Sequence, residues 1–223
     1  MPDLRTILTL LQHGDSNFPA GGFAFSWGVE GMEIDGYLPR GRAPLEAFVL
    51  DQLTNRWTCM DRVLLRRACM AELDGIEEVD HETEALTLSA EMREGSRRAG
   101  RALIGVHARL GGPLAALYRA RLGTGAPGHL PVAQAVAARD VGLDLAGAET
   151  LSGWTLVTGL VSAAVRLGTV GHLDGQRVMT AAAAHLDRLL IEPPDPDGPY
   201  AFTPVSDIAV ARAPLRAQRM FAT

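Results

Sequence analysis

Lysine is absent from this chain: all 21 basic residues among its 223 are arginine. That removes the lysine of a Walker A loop, the Schiff-base lysine of pyridoxal enzymes and aldolases, and any lysine general base. A genome rich in arginine codons accounts for the bias, and the exclusion holds whatever its cause. Cysteine is scarce. Cys59 and Cys69 stand ten apart with no CxxC, so neither a disulfide scaffold nor a paired-thiol metal site is expected. The six histidines (His13, His81, His107, His129, His172, His185) form no HxxxH or HExxH pair. Their spacing puts no two ligands on one helix face. A net charge of −5 argues against a nucleic-acid or anionic-membrane surface. Met1-Pro2-Asp3-Leu4 lacks the basic-then-apolar pattern of a secretory signal, so a cytoplasmic location is expected.

What is present is helical periodicity. Leu4, Ile7, Leu8 and Leu11 predict a short amphipathic helix. Pro39, Gly41 and Pro44 mark a loop, and Leu45 to Leu64 follow steps of three and four, which predicts a long helix. Asp74-Gly75 should end it, with an acidic linker running to Asp80. A second long helix is expected through Leu86, Met92, Ala99, Leu103 and Ile104, with Gly95 and Gly100 marking close helix contact or a kink. Gly111-Gly112-Pro113 stops it; a shorter helix spans Leu114–Arg121, and Pro131 opens another. The apolar segment 145–167 has the length of a membrane span, but Glu149, Arg166 and its many small polar residues favour a buried core helix. Leu173–Ile191 reads as a further helix, and the proline-rich 193–199 as an exposed connector. Phe23, Phe25, Trp27 and Val29 alternate like a strand that has nothing to pair with, so they read as loop entering a helix. The expected fold is all-α, a single compact multi-helix bundle. Residues 1–192 would form the core, 193–201 the connector and 202–223 a C-terminal partner-binding segment of the same domain.

The most idiosyncratic stretch is 14–30, GDSNFPAGGFAFSWGVE. Asp15 and Ser16 suit a turn, Pro19 fixes φ, and Gly21-Gly22 opens conformations closed to other residues. No strand precedes it and no GxGxxG spacing accompanies it, which speaks against nucleotide binding. Phe18, Phe23 and Phe25 read either as core or, with arginine, as partner anchors. Glu30 either lines a polar route or caps its own helix. Arg93, Arg97, Arg98 and Arg101 read as a salt-bridged helix face, with Glu94 near Arg97 or Arg98. His81 and Glu84, an i, i+3 pair, read as solvated surface. Ser26, Ser96, Ser152 and Ser162 have no GxSxG context and no legible histidine or acid partner.

The pattern DSxFPxGGFxxSxGxE over residues 15–30 resembles the N-terminal signature of the UreF family, urease accessory proteins that help load nickel into urease. Further pieces follow in order. Ser96 to Arg101 is similar to the family's Ser-containing helix, and His129-Leu130-Pro131-Val132-Ala133 to its hxPVA step. Arg166-Leu167-Gly168 with Gly171 and Gln176 resembles RLGxxGxxxxQ, and Pro204 to Ala209 with Arg219 and Phe221 resembles the PxxDIA…RLF terminus. Two departures stand out: Arg212 to Leu215 lacks the family's His-Glu pair, and the chain ends Phe-Ala-Thr.

The resemblance implies an all-helical, dimeric, non-catalytic scaffold that bridges UreD (also called UreH) and the GTPase UreG. Through that complex it would reach urease apoprotein, and it would tune the GTPase. It implies partner contacts at Gly21, Gly22, Phe23, Ser26, Glu30, Asp207, Arg219 and Phe221, with Ser26 and Glu30 also along a nickel passage. The C-terminal segment would be mobile until a partner orders it. No catalytic, cofactor-binding or metal-ligating residues are expected, nickel being handled by the complex. Two alternatives remain open: a divergent helical adaptor outside urease maturation, and a helical enzyme with a dispersed site drawn from Glu30, Arg97, Arg101 and His107.

Overall fold

A computed structural model describes residues 3–19, 26–194, 198–215 and Phe221. Among them the regular elements are all helical. They are α1 (Leu4–Gly14), α2 (Val29–Ile34), α3 (Arg42–Gln52), a π-helical stretch (Leu53–Asp61) and α4 (Arg62–Met70). Then come α5 (Leu73–Leu86), α6 (Ala90–Arg109), α7 (Pro113–Thr124) and α8 (Leu130–Asp140). The last are α9 (Leu145–Leu167), α10 (His172–Ile191), α11 (Pro204–Ala211) and a short 3-10 turn, Ala213–Leu215.

α9 is the spine. Its first turns, through Ala148, join a cluster built from α4 to α8 around Leu65, Ile76, Ile104, Tyr118 and Val136. Its later turns, through Val157, Leu160 and Ala164, join a second cluster with α2, α3, α10 and Phe221. Its apolar character is thus spent on two cores, and no described helix is long and apolar enough to cross a membrane. Where the halves meet, Glu149 of α9 is buried between two α4 arginines. Arg62 Nε donates to Glu149 Oε1 at 2.8 Å and Arg66 Nη1 at 2.7 Å, while Arg62 Nη1 donates to the Leu189 carbonyl of α10 at 2.8 Å. Removing Glu149 would leave the buried Arg62 charge without its carboxylate, which costs about 3–5 kcal/mol.

Three expectations are corrected. The acidic 74–80 stretch is no linker but the first half of α5, because Ile76, Asp80 and Thr83 share an inward face and are buried. Leu86 closes α5 rather than joining the next helix, which starts at Ala90 with Ser89 Oγ accepting from the Met92 amide at 3.3 Å. Pro44 lies inside the first turn of α3, where a missing N–H costs nothing, rather than in a loop.

Asp80 explains why an acid belongs inside. Its Oδ2 accepts from the Tyr118 hydroxyl at 2.5 Å and the Gly128 amide at 2.5 Å; its Oδ1 accepts from the His129 amide at 2.8 Å. One carboxyl group therefore ties α5 to α7 and to the start of α8. Gly100 completes the junction: a Cβ there would meet the Gly128 carbonyl oxygen at 2.2 Å and the His129 backbone at 2.7 Å. The tight contact expected at Gly100 is present. At the other end of α8, Asp140 accepts from the Leu114 and Ala115 amides at 2.9 and 2.8 Å, capping α7.

Asp80→Ala strands three buried donors and should lower the unfolding free energy by about 3 kcal/mol in a urea titration. Glu78→Ala, on the outward face of the same helix, should stay within about 0.5 kcal/mol. Equal effects of the two would contradict the clamp.

Candidate partner-binding surface

The signature enters α2 through two left-handed residues, Trp27 (φ 51°) and Gly28 (φ 92°). A side chain at Gly28 would be strained, and its Cβ would meet Val210 Cγ2 at 3.3 Å. α11 lies that close to the start of α2. Ser26 is fully buried and its carbonyl accepts from the Val29 amide at 3.1 Å. Glu30, on the inner side of α2, is buried and its Oε2 accepts from the Phe221 amide at 3.2 Å. The Phe221 ring is buried in the core, with the Arg166 guanidinium 4.2 Å from its centroid. Glu30 is thus neither a solvated helix residue nor a cap for its own helix. It holds the far end of the chain.

Residues 198–215 are docked on the helical core. The π-helical stretch shifts its backbone bonds to i→i+5, and two of its carbonyls face the connector. The Cys59 carbonyl accepts from the Tyr200 amide at 3.0 Å and the Asn55 carbonyl from the Phe202 amide at 2.8 Å. Arg67 Nη2 donates to the Gly198 carbonyl at 2.9 Å. One turn further, Gln52 Nε2 donates to Ser206 Oγ at 3.2 Å, and Ser206 Oγ donates to the Thr203 carbonyl at 3.0 Å. Burial pushes the Asp207 carboxyl above the usual carboxylate range; the Arg56 charge and the Thr203 hydroxyl offset it only in part. The expectation of a segment ordered only by a partner is corrected for residues 198–215, which pack in the chain alone because these amides and side chains find partners on it.

Ser26, Glu30, Asp207 and Phe221 therefore belong to one region around α2 and α11. Gly21, Gly22, Phe23 and Arg219 lie outside the described residues, as does Phe25. Val205 and Ile208, on one outward face of α11, remain exposed, as do Phe202 before it and Ile34 and Tyr37 at the end of α2.

The arginine face of α6 is salt-bridged as expected. Arg97 pairs with Glu94 and with Glu84, both at 3.0 Å, and Arg101 Nε donates to the Pro127 carbonyl at 2.8 Å. Such exposed pairs are worth about 0–1 kcal/mol each. Glu84 is not only surface: its Oε2 lies 2.8 Å from Nε2 of the buried His129, whose Nδ1 lies 3.1 Å from Ser96 Oγ. Ser96 thus does have a histidine and an acid in line, which the sequence spacing did not reveal. Its Oγ also accepts from the Leu130 amide at 3.0 Å, so the trio fastens the start of α8 to α5 and α6. Glu30, Arg97, Arg101 and His107, drawn together in the dispersed-enzyme alternative, instead engage four different sets of neighbours.

A cavity of about 340 Å³ runs beside α9, with His13, Phe18, Trp27, His107, Gln134 and Arg166 among its walls. Both described ends of the signature, Phe18 and Trp27, face it. Among the described residues no three His, Cys, Asp or Glu side chains are grouped to hold a metal ion.

Among the described residues the chain is wholly helical, with α11 packed against the start of α2. The sequence comparisons make the class particular. The UreF family model matches residues 40–183, and this chain belongs to that family. It is 33% identical to the urease accessory protein UreF of Arthrobacter sp. (strain FB24) over 96% of both chains. It is 31% identical to that of Actinobacillus pleuropneumoniae serotype 5b (strain L20) over 89% of this chain and 91% of the relative. The UreF of Trichodesmium erythraeum (strain IMS101) is 28% identical over 99% of this chain and 98% of its own. The full-length matches take in the signature and the docked terminus, both outside the family model's span.

Burial holds three histidines below the ordinary range: His107, with the His13 charge adding to it; His129, despite the Glu84 hydrogen bond; and His185, with Arg188 adding to it. Groups depressed in the folded state take up protons first in the unfolded chain. Their contribution is complete above the unfolded value of about 6.5 and is lost as pH falls from there toward the folded values. Thermal melts should therefore show a lower midpoint at about pH 5.5 than at about pH 7.5. A flat or rising midpoint would contradict the buried neutral rings.

Proposed function

We propose that this protein is a non-catalytic scaffold of urease maturation that bridges UreD (UreH) and the GTPase UreG for nickel insertion. It would tune the GTPase by binding its two nucleotide states unequally. In this reading it acts in the cytoplasm as a homodimer, has no nucleic-acid or membrane partner, needs no cofactor of its own, and meets urease apoprotein through the complex.

The observation that carries the reading is the bond from the Phe221 amide to Glu30 Oε2, 3.2 Å long. It supports the reading because it brings the two segments that the family resemblance implies for partner contact next to each other, with the exposed Val205 and Ile208 of α11 beside them. Docking of α11 places Val205 and Ile208 outward without further ordering, so a partner meets them with little of the entropy cost that a loose tail would carry. An apolar, preformed face suits a lasting neighbour better than a GTPase that must come and go, and it is assigned to UreD.

Ile208→Asp puts a charge on that face at an exposed position. It should weaken capture of UreD by about tenfold or more while leaving the melting temperature of the isolated chain unchanged. Undiminished capture, measured by co-expression and light scattering, would remove α11 from the interface.

A further inference from the structure

His13 closes α1 and His107 stands in the last turn of α6. The fold brings their rings to a centroid separation of 5.3 Å at the wall of the cavity beside α9. The His13 ring is oriented by its Nδ1, 2.9 Å from the Thr9 carbonyl. A proton shared with that carbonyl leaves the lone pair on Nε2, the arrangement that prepares a histidine to ligate. His107 is 2% exposed, and among the described residues its Nε2 has no hydrogen-bond partner. A buried imidazole nitrogen without a partner, in the wall of a cavity, is an expensive feature for packing alone.

The spacing is informative. An imidazole bound through nitrogen at about 2.0–2.1 Å has its ring centroid about 3.2 Å from the metal. Two such rings at a tetrahedral angle then lie about 5.2 Å apart, against 5.3 Å here. Phe18 packs against both rings, with centroids 4.5 Å from His13 and 5.6 Å from His107, and walls off one side.

We propose that His13 and His107 form a two-imidazole site for a borderline divalent transition-metal cation of the Co²⁺, Ni²⁺, Zn²⁺ class. Nitrogen donors select this class over Mg²⁺ and Ca²⁺, which require oxygen. Among the described residues no third histidine, cysteine or carboxylate joins the pair, so water fills the remaining positions. A site with two protein ligands loads and releases its ion readily. This site belongs to the isolated chain and is independent of the partner surface.

The test is titration of the full-length chain with Co²⁺ alone, followed by calorimetry and visible absorption. One saturable ion per chain is expected. His13→Ala and His107→Phe should each weaken it about tenfold or more, while His172→Ala with His185→Ala leaves it unchanged. His107→Phe keeps a ring in the core; if it impairs folding, His13→Ala, at a half-buried position, decides alone. Absence of saturable binding, or binding indifferent to His13→Ala, overturns the site. Neither result would bear on capture of UreD, which uses a different face.

Discussion

The structure turns on a change of helical register. Between Leu53 and Asp61 the chain runs as a π-helix, and the carbonyls of Asn55 and Cys59 are met by the amides of Phe202 and Tyr200. Through these two bonds residues 198–203 are laid along the stretch as a strap. α11 then reaches the start of α2, and Phe221 reaches Glu30. The same stretch sets Trp57 against α9, its Nε1 donating to Ser152 Oγ at 3.1 Å. One irregular stretch thus joins the spine, the strap and the signature.

Buried carboxylates supply the rest of the specificity. Asp80 and Glu149 each receive several donors from distant elements, and each sits where hydrophobic packing alone would leave helix ends or helix rotations undetermined. With every basic side chain an arginine, the planar guanidinium can serve two acceptors at once. Arg62 does so, with one nitrogen on Glu149 and another on the Leu189 carbonyl.

The sequence made most helices legible, because steps of three and four and turn-forming Gly and Pro mark them locally: α9 runs over 145–167 as expected. It failed where charge overrode that pattern. The run from Asp74 to Glu84 reads as solvent-facing, yet Ile76, Asp80 and Thr83 turn inward, and the apolar residue beside an acid at helical spacing was the available clue. The π-helical register left no local signal, since its apolar positions fit an α-helix equally well. The surface was half legible. Ser26, Glu30, Asp207 and Phe221 were placed by resemblance, but their meeting depends on contacts across most of the chain. His13 with His107, and Ser96 with His129 and Glu84, are meetings of the same kind, set by tertiary packing alone.

The central claim is that the C-terminal strap is already docked in the free chain and carries the outward face of α11. Amide hydrogen exchange at Tyr200, Phe202 and Phe221 in the isolated protein tests it most directly. The account predicts protection well above the random-coil rate at all three amides, with further slowing across α11 when a partner binds. Exchange at the random-coil rate in the free chain, with protection appearing only in a complex, would contradict it.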